Sequence, residues 1–252
     1  MIVREFDAGM TGVFRFADVN IKICSVYPDV QKYCDSYRVN AEPDFTVETT
    51  QDDIAFERDR SAREDRAEGI AERQFADEYL ELLAVYRKIA EKMPDYQTVL
   101  FHGSCVSVDG EAYLFTAKSG TGKSTHTALW RKLLGEKAVM VNDDKPLIQI
   151  RDGKATVFGT PWDGKHHLSQ NISVPLKAIC ILQRAADNSI ERITVPKAYP
   201  MLLQQVYRPL DGMALQKTLN LLDALASSVR LWRLGCNMEL AAAEIAYQAM
   251  KE

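Results

Sequence analysis

The stretch Ala117-Lys-Ser-Gly-Thr-Gly-Lys-Ser-Thr125 constrains this chain more than any other. Glu111–Thr116 before it reads as a strand. After it, Ala128, Leu129, Leu133 and Leu134 share one side of a helix, with Gly135 at its end. A tight loop between strand and helix, free of side-chain bulk at Gly120 and Gly122, lets several backbone N–H groups converge on one anion. The helix that starts there adds its free N–H groups and the positive end of its dipole. Lys123 is placed to neutralise the β- and γ-phosphates of a nucleotide, and the Ser124 hydroxyl to ligate a Mg²⁺ bridging them. Ser119, Gly120, Thr121, Gly122, Lys123, Ser124 and Thr125 are the candidate nucleotide-binding residues, with Ala117 standing where the full motif has glycine.

A second feature completes the chemistry. Ala138–Asn142 reads as a short buried strand that delivers Asp143-Asp144 at its carboxyl end. One helix separates it from the loop. A right-handed crossover of that length brings the two strands near each other, pointing the same way. Loop and acids then share one crevice, where open α/β sheets bind ligands. One carboxylate can hold Mg²⁺; the other can take the proton of an attacking hydroxyl. Asp109-Gly110 is a strong hairpin turn, so the strand feeding the loop is expected to run antiparallel to a strand Val99–Val108 that carries His102. That arrangement selects a mixed sheet over the parallel one of common nucleotide hydrolases.

Composition sets the outer bounds. The chain has 252 residues, 46% hydrophobic and 26% charged, enough for a full core without staples. A net charge of −4 argues against nucleic-acid or membrane-surface binding, which favours a basic excess. No apolar run approaches the roughly 18–20 residues of a spanning helix. The amino end lacks the apolar stretch of a signal peptide. The five cysteines are odd in number and never spaced C-x-x-C, so they read as reduced core thiols of a cytoplasmic protein. Residues 1–95 are expected to form a small N-terminal α+β lobe and linking helix, and residues 96–252 the catalytic domain with C-terminal helices. Asp52–Arg73, dense in both charge signs, reads as a solvated loop or the start of an exposed helix. From Phe75 an amphipathic helix runs to Pro94. Leu147–Ile150 and Ala155–Phe158 make a hairpin, Leu176–Gln183 and Ile190–Val195 lie around an Asp187-Asn188 turn, Val229–Leu234 is a late strand, and Asn237 is placed to cap a last helix.

Phe101-His102-Gly103, the hairpin at Asp109-Gly110, Ser119-Gly-Thr-Gly-Lys-Ser124 and Val141-Asn-Asp143-Asp144, in that order and spacing, resemble the catalytic domain of HPr serine kinase/phosphorylase. The Ser-Gly-Thr-Gly-Lys core and the acid pair also resemble ATP-dependent phosphoenolpyruvate carboxykinase. The resemblance is specific over residues 98–165, extends by pattern to 252, and leaves out 1–95. It implies a mixed-sheet α/β P-loop fold with ATP and Mg²⁺ as cofactors. It implies a phosphate-side role for His102, phosphate and metal contacts for Lys123 and Ser124, and metal-binding and base roles shared between Asp143 and Asp144. It places Asp163 as a metal ligand and Lys165 as a catalytic phosphate contact within Gly159-Thr-Pro-Trp-Asp-Gly-Lys165. The activity implied is transfer of the γ-phosphoryl group to a hydroxyl, a seryl one foremost, of a peptide, protein or small molecule; a homo-oligomer is also hinted at. The alternative is a nucleotide-binding regulatory or assembly module without phosphotransfer.

Other residues carry weaker signals. Trp162 is placed to stack on a base or shield the site from water, and His166 and His167 add phosphate donors or form a solvated turn. His126 either touches a phosphate or is exposed. Arg184, Arg192, Arg208, Arg230 and Arg233 are all candidates to reach the transferring group. The Leu215, Leu219, Leu222 and Leu225 stripe reads as core or subunit contact.

Overall fold

A computed structural model describes residues 10–164 and 166–252. The chain divides after Ala90 into two compact units, and the division falls in the last turn of a helix, α3 (Asp77–Lys92).

In the first unit, β1 (Thr11–Phe16) and β2 (Val19–Cys24) form a hairpin over Ala17 and Asp18, both at positive φ. β2 also pairs in parallel with β3 (Phe45–Glu48). A short helix, α1 (Asp29–Tyr33), lies between β2 and β3. Of the two readings of the charge-dense stretch the helical one holds, and it extends to a full helix, α2 (Gln51–Glu68). The Thr50 N–H donates to Asp53 Oδ2 at its start (3.0 Å), and Gly69 ends it at φ 71°. Its buried positions include Glu57 and Asp65. Arg87 on α3 bonds Glu57 at 2.5 Å and Asp53 at 3.2 Å, so ion pairs as well as apolar contacts hold these helices together. Glu81, fully buried on α3, accepts from the Val26 and Tyr27 N–H groups and the Thr49 hydroxyl.

The second unit is built on a nine-stranded mixed sheet. Its strands are β4 (Thr98–Leu100), β5 (Ser104–Val108), β6 (Glu111–Thr116), β7 (Ala138–Asn142), β8 (Leu147–Arg151), β9 (Lys154–Phe158), β10 (Ser173–Arg184), β11 (Ser189–Arg192) and β12 (Arg230–Cys236). The main path runs β4-β8-β9-β10-β6-β5-β7, and β12 pairs with both β10 and β11. β5 and β6 are antiparallel across the Asp109-Gly110 turn, as the hairpin signal requires. β7 is antiparallel to β5 on its other side, so β6 and β7 point the same way with β5 between them. The mixed α/β sheet expected from the sequence is therefore present.

One strand reading needs correction. The run Val99–Val108 is not one strand. It breaks at Phe101–Gly103, β4 pairs with β8, and His102 sits in the break rather than on a strand. The two strands expected around Asp187-Asn188 are present as β10 and β11, the second ending at Arg192; β12 lies between them, parallel to β10 and antiparallel to β11.

Helices cover both faces. Cys105, Ala112, Leu114 and Ile179 point to the face covered by α5 (Val195–Gln205) and α6 (Gly212–Ser228), where Leu202, Leu222 and Leu225 are buried. Val106, Tyr113, Phe115 and Cys180 point to the other, with Trp130 of α4 (Lys123–Leu134) and Ala243 and Ala246 of α7 (Leu240–Met250). Burial on both faces explains why β5 and β6 show no apolar–polar alternation along their length. The last helix is capped two residues later than expected: Glu239 is its N-cap, and the Asn237 side chain instead accepts from the Glu239 N–H (3.0 Å). Among the described residues no helix is long and apolar enough to cross a membrane.

Candidate functional site

The end of β6, the glycine-rich loop and the start of α4 follow one another without a break. Gly120 (φ 73°) and Gly122 (φ 120°) hold backbone conformations that side chains disfavour, and Gly122 is the N-cap of α4. The first N–H groups of α4 have no earlier turn to donate to, so they are available at this end. Lys123 is buried and its ammonium donates to the Ala117 carbonyl at 3.2 Å, curling across the loop. Burial pulls its pKa down, and the nearby Lys145 adds to this, while Asp144 and Asp143 act the other way.

The acids stand at the end of β7. Asp143 is buried; its Oδ1 accepts from the Ser104 hydroxyl at 2.5 Å, and it also takes a hydrogen bond from Ser124. Burial pushes its pKa up; the two serine hydroxyls oppose the shift and the Asp144 charge reinforces it. Asp144 behaves differently. Burial again acts upward, but the hydrogen bond from His102 and the charges of Lys145, His102 and Lys123 outweigh it and hold the carboxyl below its usual range. His102 Nε2 lies 3.3 Å from Asp144 Oδ1 and Lys145 Nζ lies 3.8 Å from the same oxygen.

His102 is itself fixed from three sides. Its N–H donates to the Gln205 carbonyl (2.8 Å), its carbonyl accepts from the Thr116 hydroxyl (3.0 Å), and the next N–H, of Gly103, donates to the Asp144 carbonyl (3.1 Å). The strand break thus ties the start of β5 to the ends of β6 and β7.

Asn142, buried beside the acids, was not singled out from the sequence. Its Oδ1 accepts from the Asp144 and Lys145 N–H groups (2.9 and 2.6 Å), closing an Asx turn, and its Nδ2 donates to the Thr160 carbonyl and hydroxyl (3.1 and 3.0 Å). It binds the acid turn to the loop that begins at Gly159. A Cβ on Gly159 would lie 1.9 Å from the Gln170 carbonyl oxygen and 2.7 Å from that of Val141, so only glycine fits there.

His102, Ser119, Gly120, Gly122, Lys123, Ser124, Thr125, Asp143 and Asp144 line one cavity of about 480 Å³, together with Gly164 and His166. Three candidates stand apart. Thr121 lies on a second cavity, described below. Asp163 does not line the first: its Oδ1 bonds His167 Nδ1 (3.0 Å) and its Oδ2 accepts from the Ser169 N–H (3.1 Å), within its own loop. Lys165 lies outside the described residues. Trp162 is buried. His126 is neither exposed nor turned to the cavity of the acids; it is buried against Phe115 and accepts from the Trp130 indole N–H at 3.1 Å. Burial lowers its pKa to about 4. Of the scattered arginines Arg184 reaches the loop, donating to the Gly120 and Thr121 carbonyls. All five cysteines are free, and burial pushes the Cys34 thiol up to about 12 and those of Cys105 and Cys180 up as well, which suits core residues and not nucleophiles.

Fold and site together define a mixed α/β protein whose glycine-rich loop and acid pair open on one crevice. The chain belongs to the family described as SynChlorMet cassette protein ScmC, whose model matches residues 71–222 and so spans the loop, the acids and the strand break. A solved structure of the Hpr(Ser) kinase/phosphatase from Coxiella burnetii is similar at 8% identity, over 61% of this chain and 99% of that one, with a TM-score of 0.32; a likeness of that size fixes neither the fold nor the chemistry. No curated protein matches the sequence.

Proposed function

We propose that the protein is a Mg²⁺-dependent kinase that moves the γ-phosphoryl group of ATP to a hydroxyl, foremost a seryl one, on a peptide, protein or small molecule. One observation carries this reading: Lys123 and Ser124 at the start of α4 line the same cavity as Asp143 and Asp144 at the end of β7, with Ser124 bonded to Asp143.

The donor set fits the cation. A carboxylate and a hydroxyl already in contact are hard oxygen ligands, the type Mg²⁺ takes alongside phosphate oxygens and water. Ser124 and Asp143 would hold it, and when bound it neutralises charge on the β- and γ-phosphates. The loop N–H groups and Lys123 bind and orient the phosphates. Asp144 faces the cavity on the His102 side; it accepts the acceptor's hydroxyl proton as that oxygen bonds to phosphorus and the bond to the β-phosphate oxygen breaks. His102 and Lys145 hold the Asp144 carboxylate in place. Positioning and charge stabilisation are most of what phosphoryl transfer needs from a protein.

The test is incubation with Mg²⁺ and γ-labelled ATP, offering a seryl peptide, free serine and fractionated lysate as acceptors. Label in an acid-stable phosphoester, absent with Lys123→Ala, is the expected result. Transfer that is unchanged in Lys123→Ala overturns the assignment, and tight ATP binding without transfer to any acceptor favours a nucleotide-binding module instead.

A further inference from the structure

Arg184 is the last residue of β10, and the register of the sheet puts it beside the glycine-rich loop. β10 runs parallel to β6, with Ile181 beside Thr116, where β6 ends. β10 then continues past that end through Leu182 and Gln183 to Arg184, alongside the point where the chain turns into the loop. Pairing with Cys236 of β12 holds the Arg184 backbone in the sheet to the last residue. Side chains alternate along a strand, so Arg184 projects to the face of Cys180 and Leu182, the one on which α4 packs.

From there the guanidinium donates through Nη2 to the Gly120 carbonyl and through Nε to the Thr121 carbonyl, the second at 3.5 Å. The loop's own bonds are local. The Thr121 N–H donates to the Lys118 carbonyl (3.2 Å) and Lys123 Nζ to the Ala117 carbonyl. Arg184 adds a tie to a different strand. It comes from a different side than Lys123 and the acids. A second cavity, of about 470 Å³, is lined by Thr121, Leu129, Arg184 and Cys236 and shares Gly120, Gly122 and Thr125 with the cavity of the acids. Arg184 lines the second cavity and not the first.

The direction of these bonds matters for an anion. A carbonyl oxygen that faces a phosphate repels it, and an N–H attracts it. Glycine offers little resistance to a change in either direction, so the peptide groups around Gly120 and Gly122 need an outside contact to fix them. A trans peptide carries its C=O and N–H on opposite sides. With the Thr121 carbonyl drawn to Arg184, the Gly122 N–H of the same peptide faces away from the arginine. We infer that Arg184 is a positioning residue for the phosphate loop: it keeps the Gly120 and Thr121 carbonyls turned aside, so that the loop is set for an anion before one arrives. The inference rests on the reading of the first cavity as a phosphate site.

The experiment pairs two measurements on the full chain: titration calorimetry with inorganic pyrophosphate in Mg²⁺, and hydrogen exchange of the Thr121 and Gly122 amides without ligand. Pyrophosphate has no base or ribose, so a contact between Arg184 and the rest of a nucleotide cannot enter the result. Arg184→Ala is expected to weaken pyrophosphate about tenfold. It is expected to speed exchange at the two amides about fivefold. The side chain is exposed, so the thermal midpoint should stay within about 2 °C of wild type. Arg184→Met keeps the apolar stem without the donors and should behave the same way; it takes the place of the alanine variant if that one fails to fold. Pyrophosphate affinity within about twofold of wild type overturns the inference and leaves the phosphate site standing. Weaker binding with unchanged exchange does so too, because it makes Arg184 a direct phosphate contact. A wild type that binds no pyrophosphate overturns the phosphate reading and this inference with it.

Discussion

Ser104 Oγ and Asp143 Oδ1 lie 2.5 Å apart, joining the first residue of β5 to the acid that follows β7. The bond lowers the proton affinity of a carboxyl that burial raises, and the same hydroxyl contacts Thr127 of α4 at 2.8 Å. Ser104→Ala should therefore raise the Asp143 pKa further. The acid limb of the pH–rate profile is expected to move to higher pH, measured by label transfer from ATP. An acid limb that stays where it is would sink the link between Ser104 and the proton state of the site.

Asn142 makes bonds to both the acid turn and the Thr160 segment while fully buried. Asn142→Ala leaves several buried polar groups without partners. It is expected to cost about 1–3 kcal/mol in urea denaturation and to lower phosphate affinity as well, since the turn it closes positions Asp144. A loss of stability with the affinity intact would assign Asn142 a purely structural part.

Two glycines make a matched pair for testing close approach. Gly159→Ala drives a methyl into the Gln170 and Val141 carbonyls and is expected to cost about 3 kcal/mol or more. Gly153, at φ 71° in a turn with nothing near it, should cost only the backbone strain of about 1–2 kcal/mol on the same change. Thermal melts of the two variants decide this, and equal shifts would count against the contact argument.

His126 gives a stability signature with a defined sign. Its folded pKa of about 4 lies below the 6.5 of an ordinary histidine, so the folded state binds the proton less readily. The contribution is fully present above the unfolded pKa and is lost as pH falls toward the folded value. Over that window the wild type should lose about 3 kcal/mol relative to His126→Gln, whose side chain still accepts from Trp130 but does not titrate. Parallel urea curves for the two proteins at pH 7.5 and pH 4 provide the measurement, and curves that stay parallel would place the imidazole in water.

Much of the site was legible because its signals are local. Glycines beside a lysine and a serine, between a strand and a helix, need little tertiary context to be read. An acid pair after a short apolar strand is also local. What escaped the sequence is non-local or masked. In Val99–Val108 only His102, Gly103 and Ser104 separate two largely apolar runs, too short a gap for hydrophobic pattern alone to reveal that the chain leaves β8 at Phe101 and joins β6 at Ser104. The insertion of β12 between β10 and β11 depends on a strand far downstream. The helix α2 could not be told from a loop because acids paired with arginine, Glu57 and Asp65, occupy buried positions that a hydrophobic count leaves blank. Arg184 had no distinguishing pattern among five arginines. His126 did carry a signal: it precedes Trp130 by one helical turn, and that spacing puts both on the buried side of α4.

The reversed strand β5 has a consequence for what the site can recruit. In a wholly parallel sheet, the crevice beyond the strand ends is furnished from one direction, by residues that come after each strand. Here a strand of opposite sense stands between β6 and β7, so its beginning lies beside their ends. His102 and Ser104 enter the crevice from upstream through that opening, and each bonds one of the two acids. One inverted neighbour thus gives each carboxylate a separate companion, and the two acids acquire different characters without any change in their own sequence.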